Sequence, residues 1–387
     1  MHAYPLLRSF AATLSVALFV STARAELFVV PNDNKVVLVN GAQVVVKDPP
    51  PDTLAVIDLS GERPRLVAEI DGVPNSVIGP PAGAAITPNE ELALVASSNH
   101  VDPRDPTKQT GDNRLTVVDL TTRPPRVLAT LETGGMPSGV GINRAGTLAL
   151  VGNHDDGTVS VFAIAGKNVT PVGRVKVAEA ATGVRQPVFA PDGRTAILTC
   201  DSEHEVMLLR IDGQKVSPAG RSIRPGLKPY AGDVSRDGSI AVVGNVGFLN
   251  GDVDTLGVID LRAEPPRLVD SLNVGLTPEC VVLSPDGSLC AVILLNGSTK
   301  PKGTPFFQPQ GRLRLYRVSG TKLTFAAEAP IGAWPQGVTI SADNRTVLAT
   351  SMVEKAVHVF RWDGKALSEK EPLKMKGGPS TIGRARK

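Results

Sequence analysis

The sequence predicts an all-β fold: a seven-bladed β-propeller with four antiparallel strands per blade. Three observations predict it. A tight-turn signature recurs seven times along the chain, and each recurrence precedes the same succession of short β-rich runs. Gly and Pro together supply 70 of the 387 residues, a turn-rich composition that no helical protein needs. No stretch carries the 3.6-residue apolar period of a long helix.

The first 25 residues stand apart from the fold. Arg8 precedes the apolar run Phe10–Val20, and Ala23-Arg24-Ala25 follows as a small-residue cleavage site. Eleven apolar residues fall short of the roughly 20 that span a bilayer. A signal peptide over 1–25 is therefore expected, leaving one propeller domain over 26–387 that is exported to the periplasm or secreted, with no transmembrane segment. Loss of Arg8 and Arg24 takes the formal net charge from +3 to +1. That balance excludes a nucleic-acid footprint. The basic end, with Lys374, Lys376, Arg384, Arg386 and Lys387, reads as a solvated tail.

The turn signatures are Pro31-Asn-Asp-Asn34, Thr87-Pro-Asn-Glu90, Asn143-Arg-Ala-Gly146, Ala190-Pro-Asp-Gly193, Ser235-Arg-Asp-Gly238, Ser284-Pro-Asp-Gly287 and Ser341-Ala-Asp-Asn344, spaced by 45–57 residues. Pro presets φ for the turn and the following Gly or Asn tolerates positive φ, so each signature should join an innermost strand to a second strand. The second strands are read as Lys35–Val39, Leu92–Val95, Leu148–Val151, Ala196–Leu198, Ile240–Val243, Leu289–Ile293 and Thr346–Ala349. Third strands follow a variable loop, as at Leu54–Asp58, Leu115–Asp119 and Leu256–Asp260. Two segments, Glu26–Val30 and Pro379–Gly383, compete for the innermost place in blade 1, and a clasp in which the tail 379–387 closes that blade is expected. A two-sheet sandwich would not need seven equivalent four-strand units.

Units such as Leu148-Ala-Leu-Val-Gly-Asn-His-Asp-Asp-Gly-Thr-Val-Ser-Val-Phe162 and Gly275–Leu289 resemble the YVTN-repeat, lactonase-like seven-bladed propellers over essentially the whole mature chain. The resemblance implies architecture more than chemistry, because this fold hosts many functions. The Trp-Asp dipeptide of WD blades occurs once, at Trp362-Asp363, and quinone-dependent propellers carry a Trp in every blade where this chain has only Trp334 and Trp362. The paired histidines of phosphogluconolactonase-like propellers have no counterpart in Pro80–Ile86.

Counting five residues back from each turn signature gives an inner ring at one mouth of the channel: Ala82, Ser138, Arg185, Tyr230, Glu279 and Gln336, with Ser380 seventh if the tail closes blade 1. Arg185, Tyr230, Glu279, Gln336 and Ser138 are the candidate ligand-binding residues; the alternative is a set of solvated side chains lining a water-filled channel. Long second-to-third-strand loops are expected at Ser97–Asn113, Asn245–Asp254 and Leu295–Arg312. The last carries Phe306 and Phe307, a candidate partner-docking lip.

His100, His154 and His204 stand at equivalent turns of three blades and should diverge too far to share a metal, so no metal site and no cofactor are expected. No G-x-S-x-G elbow or assignable triad supports nucleophilic catalysis, and no catalytic residue is assigned. Cys280 and Cys290 are expected on opposite faces of one hairpin, in a register pairing Val281 with Cys290, which argues against a disulfide between them.

These readings converge on an exported monomeric binding or interaction module acting through its channel mouth on a protein or small-molecule ligand. Two alternatives remain open. One is a lactone hydrolase in which Arg185 holds an anion and Glu279 acts as base; the other is an accessory subunit of a periplasmic redox or envelope complex.

Overall fold

The computed structural model describes residues 1–2, 26–61 and 63–387, so the signal peptide expected over residues 1–25 falls almost wholly outside the described residues. Short runs of Val, Leu, Ile and Ala, separated by turn formers, pair into a seven-bladed propeller of antiparallel sheets. The helical content of the described residues is one 3-10 turn, Ala180–Thr182.

Blades 2 to 7 each use four consecutive strands. Their innermost strands are Ala84–Ile86, Pro137–Ile142, Val184–Phe189, Pro229–Val234, Pro278–Leu283 and Pro335–Ile340. The turn that follows each is built as its sequence requires. In blade 6 the Gly287 N–H donates to the Ser284 carbonyl at 2.9 Å, and the Asp286 carboxylate accepts from both Ser284 and Ser288. Gly287 sits at φ +78°, where a side chain would be strained.

Neighbouring blades bury their faces against each other, so second and third strands read as nearly continuous apolar runs. Leu150 and Val161 of blade 3 pack with Leu198 and Leu209 of blade 4. Phe28 and Val30 of blade 1 meet Val357 and Val359 of blade 7, which closes the ring. Each fully buried Leu or Val stabilises by about 1.5–3 kcal/mol, and none of these faces would be covered in an isolated blade.

Blade 1 departs from the expected register. Leu27–Asp33 is its second strand, pairing with Thr53–Asp58 on one side. On the other side it pairs with two pieces of the chain's far end, Asn32 opposite Pro379 and Phe28 opposite Arg384. Pro31–Asn34 is thus no blade turn, and Lys35–Val39 is no blade strand. Val36–Val39 instead pairs with Ala42–Val45 as a separate hairpin. Val37, Val39 and Val44 of that hairpin are exposed, the pattern of a two-stranded excursion rather than a blade interior. Blade 2 gives a second correction. The expected loop Ser97–Asn113 is a long extension of strands Leu92–Asp102 and Asp105–Asp119, paired as far as Asp102 opposite Asp105.

The tail is not solvated in the way its charges suggested. Arg384 and Arg386 both reach the buried Asp233, while Lys376 pairs with Asp71 and Lys387 with Glu90.

Candidate functional site

The inner ring is built by a recurring local device. In blades 3 to 7 the pairing of innermost and second strands breaks at the ring residue, between Pro137 and Gly139, Val184 and Pro187, Pro229 and Gly232, Pro278 and Cys280, and Pro335 and Val338. A β-bulge there releases one residue from the ladder and re-aims its side chain. Six ring residues (Ala82, Ser138, Tyr230, Glu279, Gln336 and Ser380) directly follow a proline. Proline is tolerated at such a position because it opens a strand and its missing N–H is not needed by the ladder. Ahead of it stands a left-handed residue, Met136, Lys228, Thr277 or Trp334, at φ 50–57°. A Pro directly before the ring residue, present at every innermost-strand entry but that of Arg185, is a sequence signal that turn-counting did not use.

The bulges bring the candidate residues together. Arg185 Nη2 donates to Asp201 Oδ2 at 2.9 Å, and Nη1 donates to Ser138 Oγ at 3.3 Å. The guanidinium carbon lies 5.5 Å from the Tyr230 ring centroid, a cation–π contact. Burial pushes the Glu279 carboxyl up to about 8, opposed in part by the amide of Gln336 and the charge of Arg185. Burial and the neighbouring Glu279 also push the Tyr230 hydroxyl up. The Gln336 amide faces the Glu279 carboxyl but outside hydrogen-bond geometry, so both its amide atoms, like Nε of Arg185, are buried without a well-formed hydrogen bond.

The ring is not an open mouth. Ser138, Gln336, Glu279 and Arg185 are only 1%, 1%, 7% and 8% exposed. The covering comes from the segment 73–83 that leads into blade 2. At Gly79, φ +106°, an added Cβ would lie 3.6 Å from Ser138 Oγ and 3.8 Å from Arg185 Nη1, so this backbone rests on the ring.

A buried ionic cluster that sequence reasoning missed pins this roof. Lys35 Nζ lies 2.5 Å from Asp52 and 3.1 Å from Asp33, and it donates to the Asn75 carbonyl at 2.7 Å. The Val77 N–H donates to Asp33 and the Asn75 N–H to Asp52. Ser380 Oγ donates to Asn75 Oδ1 at 3.0 Å, which ties the clasp to the same roof. Val77 packs with Trp334, Met352, Val36 and Leu295. The turn pattern assigns Lys35 to a blade strand, which conceals this role.

The docking candidates separate. Phe306 is exposed, at φ +64°, while Phe307 is partly buried. Phe306 covers Gly251 of the blade 5 loop, whose missing side chain makes the close approach possible. Phe248, Leu249 and Val253 of that loop are exposed as well.

The histidines do not converge, and no group of three metal-ligating side chains occurs among the described residues. His154 pairs with Asp155 at 3.0 Å and its Nε2 lies 3.8 Å from Asp201, while the His204 ring stacks edge-on with Phe248. All three cysteines are free and buried. The blade 6 hairpin register differs from expectation: Leu283, not Val281, opposes Cys290, and Cys280 opposes Ile293. The two thiols still lie in different inter-blade cores.

Together these features define a seven-bladed propeller with a roofed polar ring on its axis. Among solved structures the fold is similar to the periplasmic gluconolactonase of Pseudomonas aeruginosa (TM-score 0.65, 16% identity, covering 92% of this chain and 98% of that one). It is also similar to hydrazine synthase of Kuenenia stuttgartiensis (TM-score 0.63, 16% identity, 81% and 92% covered). A protein of unknown function from Desulfotomaculum acetoxidans aligns at TM-score 0.67 and 13% identity over 93% of this chain and 99% of that one. Identities this low establish the fold alone. No protein-family model and no curated protein matches the sequence. No helix among the described residues is long and apolar enough to cross a membrane.

Proposed function

We propose that the protein is an exported, YVTN-type propeller that serves as a binding module, holding a small, neutral, hydroxyl-rich ligand of sugar or lactone size at the roofed ring. The observation that carries this reading is the unpaired Gln336 amide. A buried donor and a buried acceptor left without partners cost about 1–3 kcal/mol each, a cost that a hydroxylated ligand would remove. The ring's electrostatics favour a neutral guest. Arg185 is already matched by Asp201, and Glu279, with its carboxyl raised to about 8, is a hydrogen-bond donor at neutral pH.

The same protonation disfavours the lactone-hydrolase alternative, which needs Glu279 ionised as a base. The test pairs calorimetric binding of 1,5-anhydroglucitol with a hydrolysis assay on glucono-1,5-lactone. Binding that Gln336→Leu abolishes, without turnover, is expected. Hydrolysis that Glu279→Gln eliminates would establish the enzyme instead.

A second reading, docking to a partner protein within an envelope or redox assembly, is favoured by the adjacent exposed side chains Phe248, Leu249, Val253 and Phe306. Phe306→Ser should leave folding intact and remove such docking.

A further inference from the structure

The opposite end of the channel carries an excess of unpaired positive charge. There the innermost-to-second-strand turns of blades 3 and 5 place Arg where blades 2, 4 and 6 have Pro, giving Arg144 and Arg236. Arg384 and Arg386 arrive from the C-terminal segment, and all four line one cavity. One carboxylate, Asp233, is bonded to two of them. Asp233 accepts from Arg386 at 2.5 Å and from Arg384 at 3.2 Å. Its oxygens are further engaged by the N–H groups of Leu283 at 2.9 Å and Val234 at 2.7 Å, which leaves little capacity for another cation.

Arg144 and Arg236 make no hydrogen bond or ion pair with other described residues, although Arg144 is partly buried. Burial and the nearby charges of Arg236 and Arg386 depress the Arg144 guanidinium's hold on its proton. Nη1 of the mostly buried Arg384 likewise has no partner. Four guanidinium groups line this cavity and no acidic side chain does, although Asp237, Asp260 and Asp286 line the adjoining one beside Arg144 and Arg236; nothing in blade packing requires the arginines there, because the neighbouring turns make the same bend with Pro191 and Pro285.

We infer that this end of the channel is a binding site for a small oxyanion carrying at least two negative charges, of phosphate or polycarboxylate type. The guanidinium fork matches both chemistries through paired N–H donors. The site is separate from the roofed ring and does not depend on how that ring is read.

The experiment is calorimetric titration of the full protein with pyrophosphate and with citrate at low ionic strength, where charge attraction is least screened. Wild type, Arg144→Gln, Arg236→Gln and the remote surface control Arg65→Gln are compared. Both cavity arginines are partly or fully exposed turn residues, so their variants should fold, and circular dichroism checks this. Binding tighter than about 1 mM is expected for at least one anion, weakened roughly tenfold by either cavity variant and unchanged by the control. The preferred anion tells phosphoryl from carboxylate recognition. Absence of binding by both anions, or binding that all three variants leave intact, would overturn the inference.

Discussion

Replacing Glu279 with Gln keeps the shape of the side chain and removes its titration. The carboxyl is fully enclosed and raised from the usual 4.5 to about 8, mainly by burial. An acid whose pKa is raised on folding holds its proton more tightly in the folded than in the unfolded state. Stability therefore falls as pH rises from about 4.5 through about 8, and is greatest below that window. At pH 7 the folded chain keeps a proton that the unfolded chain has released, a handicap of about 3 kcal/mol at 1.36 kcal/mol per pH unit. Glu279→Gln should relieve it. With an unfolding entropy near 2.1 cal/mol/K per residue, the gain is a melting temperature about 4 °C higher at pH 7. Near pH 4.5 wild type and variant should melt together. Differential scanning calorimetry of both proteins across pH 4.5–9 reads the difference directly, and other titrating groups cancel in the subtraction. A wild type that gains on the variant as pH rises would refute the buried, protonated carboxyl.

Other consequences can be checked by simpler means. Lys35→Met strands Asp33 and Asp52 in the interior and should cost about 3–5 kcal/mol in denaturant unfolding; a loss below about 1 kcal/mol would mean that the ion cluster does not hold the roof. Gly152→Ala would put a Cβ 1.9 Å from the Arg185 carbonyl oxygen, so we expect about 1–3 kcal/mol of destabilisation and weaker ligand binding from a displaced Arg185. Burial pushes the Cys280 thiol up to about 12 and the Cys200 and Cys290 thiols up as well. A disulfide reagent should therefore find no fast-reacting thiol in the native protein and three after unfolding.

The parts of this molecule legible in its sequence are those set by local rules. Ser284-Pro-Asp-Gly287 makes its turn with its own side chains and its own positive-φ glycine, so its meaning does not depend on distant residues. Counting back from such turns located Arg185, Tyr230, Glu279 and Gln336, because a fixed strand length separates turn from bulge. Blade 1 misled because its innermost strand lies some 350 residues from its second, and Pro31-Asn-Asp-Asn34 mimics a turn within a strand. The roof escaped notice because Lys35, Asp52 and Asn75 meet only through tertiary structure. The tail's arginines looked solvated because their acid, Asp233, belongs to blade 5.

The proposed binding of a neutral, hydroxylated guest rests on a protonated Glu279 and an unpaired Gln336 amide. The most direct test is the affinity for 1,5-anhydroglucitol as a function of pH. Binding should be constant to about pH 7 and weaken as Glu279 ionises near 8, with Glu279→Gln binding independently of pH. Affinity that rises through that interval, or no binding at any pH, would contradict it.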